Sequence, residues 1–249
     1  MIFLVMILGV CIGSFLLVVI ERTHARESIL YGRSNCPACK AQLRARDLIP
    51  ILSFFLLKRS CRNCHTRISV EYPIVEFVTG MLFVFVFLIE KNWILFFRDV
   101  VFISYLIIIF LYDLKYKYIL DRFTIPAICF AFMANLFVGN ITPFSLLLGM
   151  IAVGGFFLVQ FIVSKGTWVG GGDIRMGVLM GAMLGLSYGL LALFLAYVMG
   201  AFVGLILLQL KRVDRKTQIP FGTFLSIATI IVLFVGPQIL HWYLGFFDR

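Results

Sequence analysis

Apolar residues in this chain arrive in long unbroken runs, at 2–20, 74–89, 94–112, 124–139, 144–164, 174–187, 189–210 and 221–245, with the polar residues gathered between them. A helix needs about 20 apolar residues to cross the hydrocarbon core of a bilayer, and several runs reach that length. A helix also satisfies its own backbone where no water is present. The pattern therefore predicts an all-α polytopic membrane protein of about eight transmembrane helices. One long polar stretch, 21–73, interrupts it and forms a loop. The first run has no basic residues before it and is followed by Glu21-Arg22-Thr23-His24, so it reads as a retained anchor rather than a cleaved signal.

Composition agrees, since 62% hydrophobic residues over 249 positions exclude a soluble domain. The net charge of +10 sits in the loops, as membrane insertion alone produces, so it argues for lipid and not for a nucleic-acid partner. Arg22, Arg26, Arg33, Lys40, Arg44, Arg46, Lys58, Arg59, Arg62 and Arg67 outnumber the acids of the first loop. That loop is expected in the cytoplasm, with the N-terminus outside. Threading eight spans from there puts Lys115, Lys117, Lys165, Lys211, Arg212, Arg215 and Lys216 on the same side, together with Asp113, Asp121 and Asp173.

Within the loop, Cys36-Pro37-Ala38-Cys39 and Cys61-Arg62-Asn63-Cys64 are two CxxC pairs separated by 21 residues. Two such knuckles supply four thiolates to one tetrahedral ion, and zinc suits four sulfurs. Cys36, Cys39, Cys61 and Cys64 are thus the expected ligands of a structural zinc that folds a loop too polar to build a core. Two disulfides are the competing reading, disfavoured in a reducing compartment. His65 is an alternative ligand or a solvated side chain. Cys11 and Cys129, inside apolar runs, read as small packing residues.

Asp113 closes one apolar run and Asp173 opens another, directly after Gly170-Gly171-Gly172. Taken singly, Asp173 reads as a helix N-cap and Asp113 as a solvated helix end. Brought together, two carboxylates share a proton and perform aspartyl-protease chemistry. The glycines then admit the backbone of an extended substrate. Asp121, eight residues after Asp113, competes as partner. Gly177, Gly181, Gly185 and Gly189 repeat every fourth residue, and Gly9 and Gly13 do the same in the first run, which marks helix packing.

These residues resemble the type IV prepilin peptidase family, membrane aspartyl proteases of the GxGD class, over nearly the whole chain. The resemblance rests on Gly13-Ser14-Phe15, the two CxxC pairs, Asp47 to Ser53, Arg67-Ile68-Ser69 leading to Tyr72-Pro73, Glu76-Phe77-Val78-Thr79-Gly80, Gly170 to Asp173, and Ile219-Pro220-Phe221-Gly222. The chain departs from the family at Leu17, Thr23-His24, Leu120, Arg175 and Thr223, none of which removes an acid.

The resemblance implies a catalytic pair of Asp113 and Asp173, with Asp121 outside it. It implies an endopeptidase that removes the N-terminal leader of pilin-like subunits at the cytoplasmic face of a bacterial plasma membrane. It also implies methylation of the new N-terminus by S-adenosylmethionine, associated with the cytosolic loop and with Glu76 and Gly80. The expected division is a first helix at 1–20, the zinc-binding loop at 21–73 and the peptidase core at 74–249. A peptidase without the methylating activity, or a non-enzymatic zinc-ribbon scaffold, are the alternatives.

Overall fold

The computed structural model describes every residue except Leu30, Gly139, 212–218 and 246–249. Arg212, Arg215 and Lys216, expected at the cytoplasmic side, lie outside the described residues. The chain is built from α1 (Ile2–His24), the short α2 (Leu52–Leu56), α3 (Glu71–Ile89), α4 (Trp93–Tyr116), α5 (Asp121–Val138), α6 (Pro143–Val163), α7 (Gly171–Gln209) and α8 (Phe221–Leu244). Seven of these are long and apolar enough to cross a membrane. The chain divides into two compact units, Met1–Phe96 and Phe97–Arg249.

In the first unit α1 packs on α3. Lipid offers no hydrophobic force between helices, so association depends on close backbone approach at small residues. A Cβ on Gly9 would lie 2.7 Å from Gly80 Cα, and one on Gly13 would lie 3.0 Å from Glu76 Cα. The predicted packing role of Gly9 and Gly13 is therefore met, with Gly80 as the opposing partner. Between the two helices the loop makes two matching knuckles, closed by isolated bridges between Asn35 and Gln42 and between Ser60 and Arg67.

In the second unit α7 holds the central position, and its length poses a problem. A straight helix of 39 residues extends about 58 Å, roughly twice the hydrocarbon core. The conflict is resolved at Gly185, whose φ of 72° and ψ of −166° end one helix and start another. A Cβ on Gly189 would lie 3.7 Å from Gly181 Cα, although eight residues of continuous helix separate such positions by about 12 Å. The chain thus reverses at Gly185, and arms 171–184 and 186–209 run antiparallel. The apolar runs predicted at 174–187 and 189–210 correspond to these arms, joined at one glycine without a polar loop.

The first arm is only about 21 Å long. It tolerates this because protein surrounds it: Met176, Leu179, Met180, Ala182, Met183 and Leu184 are all buried. Contact with α6 is closer than any side chain allows, since a Cβ on Gly181 would lie 2.2 Å from the carbonyl carbon of Gly149. Gly177 and Gly181 form the packing seam that the four-residue repeat predicts, but the repeat is not one stripe on one helix, because Gly185 makes the turn and Gly189 lies on the other arm.

Reversing a helix inside an apolar bundle frees backbone groups that must find partners. Asn135 Nδ2 donates to the carbonyls of Ala182 and Met183 at 2.7 and 3.1 Å, and Ser145 Oγ accepts from the Leu186 amide at 3.1 Å. Arg98 Nη1 donates to Asn135 Oδ1 at 3.1 Å and its Nε to Asp99 Oδ1 at 2.7 Å, which neutralises a buried charge. Cys11 and Cys129 correct their sequence reading. Both are exposed on helix surfaces, so the apolar medium around them is lipid and not a packed core.

Candidate active site

Asp113 lies in the last turn of α4 and is buried to 4% exposure. Such a carboxylate needs donors. They come from the opposite end of the sequence, where α8 begins after Pro220: Asp113 Oδ2 accepts from the Thr223 amide at 2.9 Å and also from the Gly222 amide. The start of a helix offers free amides and the positive end of the helix dipole, which together suit an anion. Glycine is required at 222 because a Cβ there would lie 2.9 Å from Asp113 Oδ2.

Asp173 occupies the third position of α7 and not its N-cap, which is Gly170. Its Oδ2 accepts from the Gly170 amide at 3.0 Å while its own amide donates to the Gly170 carbonyl at 3.0 Å, the acid's half of a capping box. The N-cap reading is thus shifted by three residues. Asp173 thus stands at the start of α7, as Asp113 is held at the start of α8.

Ile119 joins the two helix starts, because Cβ atoms at Gly172 and at Gly222 would both fall 2.8 Å from its side chain. Of the three glycines expected at the substrate, Gly172 is therefore packed against Ile119, Gly170 caps the helix, and only Gly171 faces open space within 4 Å. Asp121 goes elsewhere, its Oδ1 lying 2.7 Å from Arg175 Nη2. Two carboxylates placed like Asp113 and Asp173 can share one proton, one group taking a proton from water while the other gives one to a carbonyl oxygen.

The residues to which the sequence assigned no role in the site are Gly222 and Thr223, whose contribution is through backbone, and Tyr197, whose ring meets Phe221 edge to face at 4.9 Å between centroids. Tyr197 and Gln160 exchange hydrogen bonds of 3.0 and 3.1 Å. The available signal was a pair of hydrogen-bonding side chains within apolar runs.

In the first unit, the ligand atoms of Cys36, Cys39, Cys61 and Cys64 all lie within 4.8 Å of one another, with Cys36 Sγ 3.8 Å from Cys64 Sγ. Four sulfurs at about 2.3 Å from a zinc ion stand about 3.8 Å apart, so the cluster fits that ion. The knuckles are built alike: the Cys36 amide donates to Ala41 O and the Cys61 amide to Thr66 O, each at 2.9 Å. Lys40 and His65 carry the positive φ of 57° and 56° that turns each one. His65 is exposed and outside the cluster. The Cys64 thiol is brought down to about 6, first by its hydrogen bond with the Thr66 hydroxyl, so a thiolate is available at neutral pH. Asp47 pairs with Arg62 at 2.7 Å, and that guanidinium holds its carboxyl below the usual range.

Glu76 is buried and accepts from the Ile51 amide at 2.7 Å and from Ser14. It holds Ile51 at φ 62°, a left-handed conformation unusual for a β-branched residue. Gly80 serves the α1–α3 contact. A cleft of about 740 Å³ opens beside the knuckles, lined among others by Ser14, Arg33, Asp47, Tyr72 and Glu76.

Residues 7–89 match the bacterial peptidase A24 N-terminal domain and residues 100–205 the type IV leader peptidase family. A prepilin leader peptidase/N-methyltransferase of Bacillus subtilis (strain 168) is 32% identical, with 98% of each chain covered. The protein of that name in Legionella pneumophila is 31% identical over 88% of this chain and 78% of its own, and the one in Neisseria gonorrhoeae 29% over 96% and 93%. No solved structure matches. With similarity running the length of the sequence, the chain belongs to the type IV leader peptidase family.

Proposed function

We propose that this chain is a membrane aspartyl endopeptidase that removes the leader of type IV pilin-like prepilins and then N-methylates the new N-terminus, with Asp113 and Asp173 as its catalytic pair. The observation that carries the assignment is the buried Asp113, held by the amides that open α8, with Ile119 packed against that helix start and against the one that carries Asp173. One carboxylate takes a proton from water as its oxygen attacks the scissile carbonyl, and the other protonates the carbonyl oxygen. Collapse of the tetrahedral carbon releases the amine, which takes up a proton from the pair. Asp121 is engaged by Arg175 and stands outside this exchange.

The basic loops support a cytoplasmic site in a multi-pass plasma-membrane protein, which suits a leader cut beside a hydrophobic helix. The peptidase core falls within 74–249 and the metal-binding loop within 21–73, with Gly171 the open glycine on the substrate's approach. Zinc on Cys36, Cys39, Cys61 and Cys64 is structural, because four thiolates leave no coordination position free. S-adenosylmethionine, when bound, supplies an electrophilic methyl group. The cleft in the first unit has the size of a small-molecule site, and Glu76 and Arg33 bring to it the two signs of charge that the ammonium, sulfonium and carboxylate groups of that molecule call for. Gly80 serves that region only by keeping α1 and α3 together.

The test is purified protein in detergent with a prepilin and S-adenosylmethionine, read by mass spectrometry of the product's N-terminus. Loss of the leader with gain of one methyl group is expected. An intact leader after prolonged incubation refutes the peptidase, and a cut but unmethylated product refutes only the second activity.

A further inference from the structure

The reversal at Gly185 has a consequence for the chemistry, through the register it imposes on the two arms of α7. Gly181 and Gly189 stand four residues either side of the turn and are in contact. Continuing that antiparallel register, Asp173 and Tyr197 stand twelve residues either side and lie level with each other. In one straight helix they would be about 36 Å apart. The side-chain contacts agree with the register. Tyr197 meets Phe221, the residue directly before the Gly222 and Thr223 amides that hold Asp113, edge to face, and stacks on Phe157 of α6 at 6.4 Å.

The phenol ring is therefore fixed on two sides and its hydroxyl is aimed by Gln160, which bonds it at 3.0 and 3.1 Å. A tyrosine in an apolar run needs a partner for its hydroxyl, and Gln160 supplies it in the resting protein. A hydroxyl preset beside one carboxylate of a proton-sharing pair is placed to donate to the oxygen on which negative charge develops.

Resting on the proposed peptidase, we infer that Tyr197 is a further catalytic residue, whose hydroxyl leaves Gln160 and donates a hydrogen bond to the scissile carbonyl oxygen as the tetrahedral intermediate forms. No proton is transferred by Tyr197. It stabilises the oxygen that Asp113 and Asp173 generate, and Gln160 is the positioning residue that aims it.

Tyr197→Phe removes the hydroxyl and keeps both ring contacts. Leader cleavage by Tyr197→Phe is expected to fall about 10²-fold in kcat, the loss typical of one oxyanion donor, with KM within about threefold of wild type. Two leader peptides separate chemistry from packing: one carries a hydroxyl-bearing tetrahedral carbon in place of the scissile carbonyl, the other a methylene. Tyr197→Phe is expected to bind the hydroxyl analogue about tenfold more weakly, one lost hydrogen bond, and the methylene analogue as wild type does. Wild-type kcat in Tyr197→Phe, or equal weakening of both analogues, overturns the inference. Should Tyr197→Phe melt early, Gln160→Met leaves the tyrosine in place, and an undiminished kcat there overturns it equally. Asp113→Asn and Asp173→Asn run alongside. If they still cleave, the peptidase reading fails, whereas if they are dead and Tyr197→Phe is fully active, only the role of Tyr197 falls.

Discussion

Adding one methyl group at Gly181 is expected to disable the enzyme from a position that touches no substrate. The Cβ of Gly181→Ala would sit 2.2 Å from the carbonyl carbon of Gly149 and 2.3 Å from the amide nitrogen of Met150. Both are backbone atoms, so no rotamer relieves the clash. Carbon atoms pack at about 3.5 Å or more, so α6 and the first arm of α7 must separate by about 1.3 Å. Overpacking of this kind costs about 1–3 kcal/mol. The same arm carries Asp173 eight residues away, and a 1 Å misplacement of a reacting group lowers rates about 10²-fold. Initial rates of leader cleavage and thermal melting in detergent measure both effects. Gly155→Ala, on α6 with nothing within 4 Å of its new methyl group, is the control and is expected to keep wild-type activity with slightly higher stability. Wild-type rate and melting temperature in Gly181→Ala, or an equal loss in Gly155→Ala, refute the seam as the device that sets Asp173.

Other outcomes follow from the same contacts. Gly222→Ala, whose Cβ meets Asp113 Oδ2 at 2.9 Å, is expected to lower kcat about 10²-fold with little change in melting temperature, measured by the same two assays. Asp121→Asn breaks only a partly exposed ion pair with Arg175, so its stability loss is at most about 1 kcal/mol and more than a tenth of the activity remains. Cys36→Ser is expected to release zinc, read by metal analysis of protein kept reduced, while leaving residual proteolysis. Asp47 titrates below its ordinary value because Arg62 binds its anion. Its contribution to the loop is therefore complete above the ordinary value of about 4 and is lost as pH falls through the lower folded value. The difference in protease resistance between wild type and Asp47→Asn is expected to be full at neutral pH and to close only below about pH 4.

What the sequence made legible is what depends on local composition. The apolar runs became helices near their expected bounds, the CxxC spacing became a four-sulfur cluster, and the glycine repeats became packing seams except at Gly185, which turns the chain. The division of the long α7 region into two segments was also legible, because a single apolar run of that length has no membrane thick enough to hold it. What stayed hidden depends on backbone contacts between distant positions. Nothing in Gly222-Thr223 announces that their amides bind a carboxylate 110 residues earlier, and nothing in Ile119 announces that it wedges between two helix starts. The glycines before Asp173 were read as room for a substrate, whereas Gly172 answers to Ile119 and Gly170 to the cap. Asn135, Arg98 and Asp99 lie within apolar runs, and what they serve is a helix reversal that a single glycine makes.

Whether Asp113 and Asp173 act as one proton-sharing pair is read from purified Asp113→Asn, Asp173→Asn and Asp121→Asn, each assayed for cleavage of a prepilin leader peptide in detergent. Each of the first two is expected to lose cleavage by at least about 10³-fold, the double variant to be no worse than either single one, and Asp121→Asn still to cut. Cleavage surviving in Asp113→Asn or in Asp173→Asn, or abolished only in Asp121→Asn, contradicts it.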